Sequence, residues 1–465
     1  MKKLFSKKMI PVLLTLIMIF ALTACAANGN GGDAPADPPA VVDTDTDDGN
    51  DVEEPADDVE EPVVEEDPAD EVAIDEGGDE ALPTGGFVQG VTDTTIYIGN
   101  SVAVSGALAP VGVPFKAGMD AYILMVNEGG GIGGRQIVYV HQDDGFDPAQ
   151  GLAILDGLIN DDQVFAIVGH FGTPVIGATF QEIIDTRIPT VYFSAGTGLV
   201  YNENATDGDG RNTFPVQPVF PMEGRVFAAW AAGTFGAERI GVIFTNDDAG
   251  TDLLAGIEQE AATIGGLEVI SEQVAPGQDD VTAAVASILA ADVDIIVIAA
   301  IQGTFPNIAR GLAAQGNTLP ALTSYVNVDA TMVALVADEV GTQFDIFGSA
   351  WVDMTTDALA LYAEWVAQVS DEDFTANAFG IAGWVAMSFF VEGLNRVGYD
   401  ELTWESFIEA MESAPVANPF GSAVDFSNGS RVGTQDLSLW RMDADDAAGW
   451  VQYLPFMSMS EILGN

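Results

Sequence analysis

Apolar runs of strand length alternate with segments of helical apolar spacing along the chain from about Val91 onward. This alternation is typical of a parallel sheet whose strands are connected by helices. The first half of this body predicts strands at Thr95–Val104, Arg135–Asp144, Val164–Gly169 and Ile188–Ala195. Asp147 followed by Pro148 has the residue types that cap and open a helix. We therefore expect a doubly wound α/β unit here.

The same alternation restarts after the stretch Asn212–Gly224. Strands are predicted at Arg239–Asp247, Leu267–Val274, Val293–Ala300 and Leu319–Val326. A long helical pattern, Phe374–Gly398, and a late strand, Leu437–Asp443, fit the simple order of neither unit. They predict that the chain crosses back, so that several strands join two lobes.

The N-terminus has the features of an export signal. Lysines at its start precede an apolar run, Ile10–Leu22, which is too short to span a bilayer as a helix. Leu22-Thr23-Ala24-Cys25 follows, and Cys25 is the only cysteine in the chain. The tetrapeptide resembles a bacterial lipobox, in which the cysteine is lipidated and becomes the new N-terminus. We expect Cys25 to anchor the protein outside the cell; an ordinary signal peptide with a chance cysteine is the alternative.

Acidic residues dominate the charge. The chain has 14 Lys and Arg against 71 Asp and Glu, a formal net charge of −57. Asp33–Glu80 contains no basic residue and few large apolar ones, which favours an extended, solvated linker. Lys116 is the only lysine of the body that follows. Such a surface argues against binding to nucleic acid or to anionic membrane patches.

Motifs for covalent or metal chemistry find little support. Gly129–Gly134 fits G-x-G-x-x-G, but it follows a predicted helix and precedes a strand, which is the reverse of a dinucleotide site. The only histidines, His141 and His170, belong to no metal-binding spacing, so no metal or cofactor is expected. Ser194 lies outside any G-x-S-x-G motif. A hydrolase that pairs Ser194 with His170 is a minor alternative.

Two small, polar stretches follow neighbouring predicted strands: Gly169–Pro174 and Ser194–Gly198. Ligands of open α/β sheets bind beyond the carboxyl ends of the strands. Glycines allow a close approach of the backbone, and Thr173, Ser194 and Thr197 add hydroxyl groups. Thr173 also stands where a helix would begin, and a helix N-terminus favours an anionic group such as a carboxylate. These residues could equally be helix caps and turn formers.

Several of these stretches resemble one family. Asn127–Arg135, the segment "DDGFDPAQG" and the segment "VGHFGT" are similar to type 1 periplasmic solute-binding proteins of the leucine/isoleucine/valine-binding group, and the likeness runs from about Ile96 to Tyr453. The resemblance implies two Rossmann-like lobes, three crossing strands and closure around a small solute. It also implies delivery of that solute to an ABC importer.

The resemblance also implies site residues. Thr173 matches the hydroxyl residue that holds an amino-acid carboxylate, and the loop Ser194, Ala195, Gly196 and Thr197 matches one that contacts carboxylate and ammonium. Ser105 and Gly106 open a loop that borders the ligand in the family. Near Tyr325, where amino-acid binders often place an acid for the ammonium, the chain has "TSYVNVDA"; Asp329 is a possible substitute. A carboxylate without an amine, an aromatic acid or an amide therefore stays open beside the family's usual branched-chain amino acid.

The expected organisation has four parts. A signal peptide covers residues 1–24, and the lipidated cysteine and acidic linker cover 25–92. The first lobe combines 93–216 with about 347–415, and the second combines 217–346 with about 416–458. We expect a solute receptor anchored to the outer face of a bacterial membrane, with an ABC permease and ATPase as partners. A ligand-sensing module for a signalling partner is the alternative of a different class.

Overall fold

The computed structural model describes residues 88–205, 210–398, 401–446 and 448–464, and it has two parallel-dominated sheets. The first sheet has the order β2-β1-β3-β4-β5, and all its pairs are parallel. Its strands are β1 (Thr95–Ser101), β2 (Gln136–Gln142), β3 (Ala166–Phe171), β4 (Thr190–Ser194) and β5 (Thr213–Phe214). The connecting helices are α1 (Ala109–Glu128), α2 (Pro148–Asn160) and α3 (Thr173–Thr186). β3 is buried along its whole length, which explains its continuous apolar character.

The second sheet is larger and has the order β12-β11-β10-β9-β8-β6-β7. Its strands are β6 (Arg239–Thr245), β7 (Glu268–Val274), β8 (Ile295–Ala299), β9 (Ala321–Thr323), β10 (Ile346–Ala350), β11 (Asp436–Met442) and β12 (Trp450–Ser458). Its helices are α4 (Phe220–Gly233), α5 (Asp248–Ile264), α6 (Thr282–Ala290), α7 (Phe305–Ala314), α8 (Ala330–Val340) and α12 (Met459–Leu463). The strands from β6 to β10 pair in parallel, and the two late strands pair antiparallel. The two-lobed α/β fold expected from the sequence is confirmed.

Three late helices belong to the first lobe. Helix α10 (Ala378–Val397) packs on α1, β3 and β4, whereas α9 (Ala358–Val366) packs on α1 and α11 (Trp404–Glu412) packs on α10. By length and composition α10 alone, among the described helices, could cross a membrane. Most of its apolar window is buried, however, as in the core helix of a globular lobe. It lies directly on α1, where a Cβ at Gly118 would meet the carbonyl oxygen of Gly380 at 1.8 Å.

The chain crosses between the lobes three times. The first crossing links β5 to α4, and the second follows the end of β10 at Ala350. The third lies later than the sequence prediction of about 415, because Arg431 still belongs to the first lobe. Its guanidinium donates to the carbonyl oxygen of Arg211 at 2.8 Å and lies 4.6 Å from the centre of the Phe214 ring. The crossing therefore falls between Arg431 and the start of β11.

The folded body also starts earlier than the predicted linker boundary at residue 92. Gln89 Nε2 donates to the carbonyl oxygens of Ile159 and Val164, at 3.0 and 3.1 Å. Val91 is buried and bridges to Ile96. The signal peptide, Cys25 and the acidic segment lie outside the described residues, so they remain sequence predictions.

The Gly-rich stretch between α1 and β2 is a turn, as its position in the chain predicted. Gly130 and Gly131 have φ of 99° and 75°, in the left-handed region that favours glycine. Asn127 holds the turn, since its side chain accepts from the backbone N–H of Ile137 at 2.8 Å and donates to the carbonyl oxygen of that residue at 2.9 Å.

Candidate functional site

A cleft between the lobes collects the ends of several strands. From the first lobe it receives the residues that follow β3 and β4, and from the second it receives the segments after β8, β9 and β10. The space between them is about 850 Å³, including the part open to solvent. The position agrees with the rule that ligands bind beyond the carboxyl ends of parallel strands.

Two hydroxyl groups lie together on the first-lobe side of the cleft. Phe171 of β3 pairs with Ser194 of β4, and the N–H of Gly172 donates to the carbonyl oxygen of Ser194 at 3.2 Å. Thr173 follows as the first residue of α3. Within the described part of the chain, the Thr173 and Ser194 side chains make no hydrogen bond. Both hydroxyls can therefore serve an anionic ligand, together with the N–H groups of Thr173 and Val175 in the first turn of α3, where Pro174 has none.

Gly172 makes this arrangement possible. Its φ is 92°, and a Cβ there would lie 2.6 Å from the Phe146 ring. A residue with a side chain would be strained at this φ and would push Phe146 away. The turn thus brings the start of α3 against the cavity, with an aromatic ring beside it.

The hinge contributes a buried chain of hydrogen bonds to the cleft floor. The Tyr192 hydroxyl donates to Gln217 Oε1 at 3.0 Å, and Gln217 Nε2 donates to the Tyr325 hydroxyl at 2.9 Å. The Tyr325 hydroxyl in turn donates to the carbonyl oxygen of Pro218 at 2.9 Å. Gln217 and Tyr325 both line the cavity, and this network fixes their orientation.

The rest of the lining is apolar and rich in aromatic rings. Seven rings border the cavity: Phe146, Phe171, Phe220, Tyr325, Trp351, Phe379 and Trp440. Aliphatic side chains fill the space between them, and Gln302 adds one further polar group. Its Nε2 is already engaged, since it donates to the carbonyl oxygen of Val326 at 3.0 Å. Such a wall favours a ligand with a large apolar part.

Among the described residues that line the cavity, none is Asp, Glu, Lys, Arg or His. Two buried carboxylates lie behind the lining, and both are occupied. Glu223 accepts from the Ser324 hydroxyl at 2.7 Å, from the N–H of Tyr325 at 2.9 Å and from the Ser349 hydroxyl. Burial raises the pKa of Glu223 to about 7, against the hydrogen bonds from these serines and the Tyr325 N–H. Asp329 caps α8 through the N–H of Thr331 at 2.8 Å.

A family model described as periplasmic binding protein matches residues 95–447. The chain belongs to the periplasmic binding protein family. Leu/Ile/Val-binding protein homolog 1 of Brucella abortus (strain 2308) is 23% identical to this binding protein over 359 residues, covering 77% of this chain and 93% of that protein. The resemblance read from the sequence is confirmed. The relatives are solute-binding proteins and not enzymes.

Solved structures agree on the fold. A fatty acid ABC transporter substrate-binding protein from Thermomonospora curvata has a TM-score of 0.68 at 24% identity, covering 81% of this chain and 96% of that one. A branched-chain amino acid ABC transporter protein from Thermus thermophilus, with bound valine, has a TM-score of 0.68 at 17% identity (81% and 99% covered). A solute-binding protein from R. palustris, in complex with benzoate, has a TM-score of 0.66 at 20% identity (78% and 98% covered).

Four of the residues singled out from the sequence line the cleft of this binding protein. They are Thr173, Ser194, Ala195 and Tyr325.

The other four are not among the described lining residues. Gly196 lies behind the wall, where a Cβ would be 2.7 Å from both the Phe220 ring and the Tyr325 hydroxyl. Thr197 is buried and caps the 3-10 turn Gly198–Val200. Ser105 and Gly106 are exposed at the start of a 3-10 turn. Their loop reaches the cavity through apolar residues further on.

Sequence reasoning missed most of the cavity wall. Phe146 belongs to the segment "DDGFDPAQG", but nothing in the sequence pattern showed that it lines the cavity. Gln217 lies in the crossing between lobes, and Trp351, Phe379 and Trp440 come from the late part of the chain. Their apolar character is that of ordinary core residues. A search for polar residues on crossing segments would have found Gln217.

The pairing of Ser194 with His170 does not occur. His170 is buried in β3, and its Nε2 lies 2.7 Å from the Thr179 hydroxyl. Burial lowers the pKa of His170 to about 4, so the imidazole is neutral near pH 7. Ser194 makes no hydrogen bond to His170 in the described structure. The serine therefore has no base that could activate it.

Proposed function

We propose that this protein is the lipid-anchored solute receptor of an ABC importer and that its solute is a monocarboxylic acid with an apolar, aromatic-sized body and no α-ammonium group. The lining of the cleft carries the proposal: aromatic and aliphatic side chains, a small set of neutral polar groups, and no charged side chain among the described residues. The two free hydroxyls, of Thr173 and Ser194, are the natural place for the carboxylate.

The absence of an acid from the described lining of the cleft supports a solute without an ammonium group. An ammonium group that is buried without a carboxylate partner costs several kcal/mol. Asp329, the substitute considered from the sequence, does not line the cavity, and its oxygens serve the N-termini of helices. Glu223 lies behind Tyr325, and its pKa of about 7 leaves it partly protonated near neutrality. Neither carboxylate offers a free oxygen to an ammonium in the cleft.

A carboxylate needs no cationic side chain at this site. Thr173 begins α3, a helix of 14 residues, and the N–H groups of a first helical turn together with the helix dipole favour a negative charge. Hydrogen bonds from hydroxyls and amides to an ionised group contribute about 1.5–3 kcal/mol each. The first lobe would therefore bind the charged end, and the aromatic wall would cover the rest.

Relatives of the family bind different solutes, so membership leaves the solute open. The solved structures include one with bound valine, one with bound benzoate and one of a fatty acid ABC transporter substrate-binding protein. The benzoate complex and the fatty acid protein show that carboxylic acids without an ammonium occur among similar folds. Membership of the family supports delivery to an importer, and the lipobox resemblance supports the anchor at Cys25.

Matched pairs of solutes test the proposal. Calorimetry on the purified full-length protein would compare 3-phenylpropanoate with phenylalanine and 4-methylpentanoate with leucine, since each pair differs only in the ammonium. We expect each acid to bind at least tenfold more tightly than its amino acid, and 3-phenylpropanamide to bind more weakly than the acid. Tighter binding of leucine or phenylalanine would refute the solute class and leave the receptor function standing. No binding across a wide panel of small solutes would refute the receptor function itself.

A further inference from the structure

Two hydrogen bonds join the lobes through residues that are not part of the crossing segments themselves. In the first, Gly198 N–H of the first lobe donates to Asp252 Oδ2 of the second at 2.6 Å. Asp252 is on α5, and Gly198 starts the 3-10 turn that follows the cavity residues Ser194 and Ala195. A Cβ at Gly198 would lie 3.2 Å from the carboxylate, so glycine suits this close approach. We name this contact the α5 clasp.

The second contact joins the N-termini of two helices. Asp329 Oδ1 accepts from the N–H of Thr331 in its own helix, α8. Its Oδ2 accepts from Asn377 Nδ2 of the first lobe at 3.3 Å. Asn377 is the N-cap of α10 and accepts from the N–H of Gly380 at 2.9 Å. The next residue of α10, Ala378, lines the cavity. We name this contact the α8 clasp.

The two clasps share one design. In each, the carboxylate belongs to the second lobe and the N–H donor belongs to the first. Each donor lies beside residues that line the cavity, yet neither Asp252 nor Asp329 lines it. Burial raises the pKa of both carboxyls, while the N–H groups of Gly198 and of Ala378 act in the opposite direction. These donors thus offset part of the cost of removing the carboxylates from water.

Contacts across the cleft exist only while the lobes are together. A hydrogen bond that is present in one conformation and absent in the other shifts the equilibrium between them. We propose that Asp252 and Asp329 are positioning residues that hold the second lobe closed over the bound solute and so set the lifetime of the loaded state. The proposal rests on the proposed solute-binding function of the cleft.

This role differs from that of the residues that touch the solute. Loss of a clasp destabilises the closed state whatever the solute is, so affinity for every solute falls by the same factor. A change at Ser194 or Thr173 alters the ranking of solutes instead. Loss of one charge-assisted hydrogen bond should raise the dissociation rate about tenfold.

Two substitutions isolate the clasps. Asp252→Ala removes the acceptor from a helix position that tolerates alanine. Asp329→Asn keeps an oxygen for the Thr331 N–H, and asparagine is a good N-cap. In this variant an amide NH₂ group replaces Oδ2 of Asp329. Because an NH₂ group cannot accept a hydrogen bond, the bond from Asn377 Nδ2 is lost. Glu258→Ala on α5 and Asp338→Asn on α8 are the matched controls, because both acids are exposed on the same helices.

Dissociation of 3-phenylpropanoate, measured by stopped flow on the full chain, gives the first readout. The second readout is the distance distribution between two spin labels, attached at Ala153→Cys on α2 and Ala283→Cys on α6. The labelled proteins also carry Cys25→Ser, and the distances are measured with and without 3-phenylpropanoate as the probe. We expect both clasp variants to raise the dissociation rate at least fivefold and to reduce the short-distance population, and we expect the controls to change neither. Unchanged thermal unfolding of the ligand-free variants separates this effect from a loss of fold. Distance distributions identical to those of the wild type in both states would overturn the proposal, whether or not the probe binds.

Discussion

At the scale of single residues, neutral polar groups and one buried acid define the site. Thr173 and Ser194 line the cavity with hydroxyls that make no hydrogen bond to any residue the structure describes. Glu223, in contrast, is fully buried, and its carboxylate accepts hydrogen bonds from Ser324, Ser349 and the backbone N–H of Tyr325. It joins α4 to the ends of β9 and β10 behind the cavity. Its protonation should therefore affect stability more directly than binding.

The raised pKa of Glu223 predicts that the free energy of unfolding falls as the pH rises. Burial raises its pKa from 4.5 to about 7, so the folded protein holds this proton more tightly than the unfolded chain. The contribution is fully present below pH 4.5 and is lost as the pH rises through about 7. The difference corresponds to about 3 kcal/mol. Urea unfolding of wild type and Glu223→Gln between pH 5 and 8 measures it. We expect the variant to lose this slope and the exposed control Glu258→Gln to keep it; equal slopes in all three would contradict the assignment.

Thr173 predicts a loss of affinity that depends on its hydroxyl. Thr173→Val keeps the shape of the side chain and removes the hydroxyl that we propose as a donor to the solute carboxylate. Binding of 3-phenylpropanoate should weaken about tenfold, since a hydrogen bond to a charged group contributes about 1.5–3 kcal/mol. Thr173→Ser restores the hydroxyl and should bind nearly as well as the wild type in calorimetry. Equal affinity of the valine and wild-type proteins would remove Thr173 from the site.

At the scale of secondary-structure elements, close packing of α1 on α10 builds the first lobe. Gly118 of α1 and Gly380 and Gly383 of α10 allow the two backbones to touch. A Cβ at Gly383 would meet the carbonyl oxygen of Phe115 at 1.9 Å. The start of α10 lies at the cleft, where Ala378 and Phe379 line the cavity. This helix pair therefore also sets the position of one wall of the site.

Replacing glycine by alanine should lower the free energy of unfolding in α1 and raise it in α2. Gly118→Ala places a methyl group against backbone atoms of α10, and such overpacking costs about 1–3 kcal/mol. Gly157→Ala in α2 meets nothing within 4 Å and should stabilise the protein by about 0.4–1 kcal/mol, because alanine favours the helix. Urea midpoints of the two variants and the wild type measure both effects. A Gly118→Ala protein as stable as the wild type would show that the helices can separate without cost.

At the scale of the whole molecule, the crossings and the clasps act together. The crossings connect the lobes through the chain, and the two clasps add hydrogen bonds between them, which we propose stabilise the closed state. The acidic excess of the chain lies partly in Asp33–Glu80, between the predicted anchor and the body. The composition of this segment predicts a spacer that extends by self-repulsion. Under the proposed function, such a spacer would keep the receptor near its importer at high effective concentration.

Cys25 predicts the attachment to the membrane. Cells that express the protein and are grown with a labelled fatty acid should incorporate the label into the wild type and not into Cys25→Ser. The variant should also appear in the soluble fraction or be processed as an ordinary secreted protein. Ser194→Ala serves as a control, since it leaves the signal sequence unchanged. Label in Cys25→Ser at the wild-type level would refute the lipobox interpretation.

The local patterns of the chain were enough to predict the α/β alternation, the two lobes, the turn at Gly129–Gly134 and the hydroxyls of Thr173 and Ser194. Each of these depends on neighbours in the sequence: strand and helix periodicity, caps, and loops that follow strands. The wall of the cavity, the clasps at Asp252 and Asp329 and the true position of the third crossing depend on residues far apart in the chain. An apolar ring has the same pattern in a core and in a cavity, and a helix-capping acid has the same pattern whether or not another lobe faces it. Only the packing of the two lobes against each other distinguishes these cases, because burial and hydrogen bonding across the cleft arise when distant segments meet.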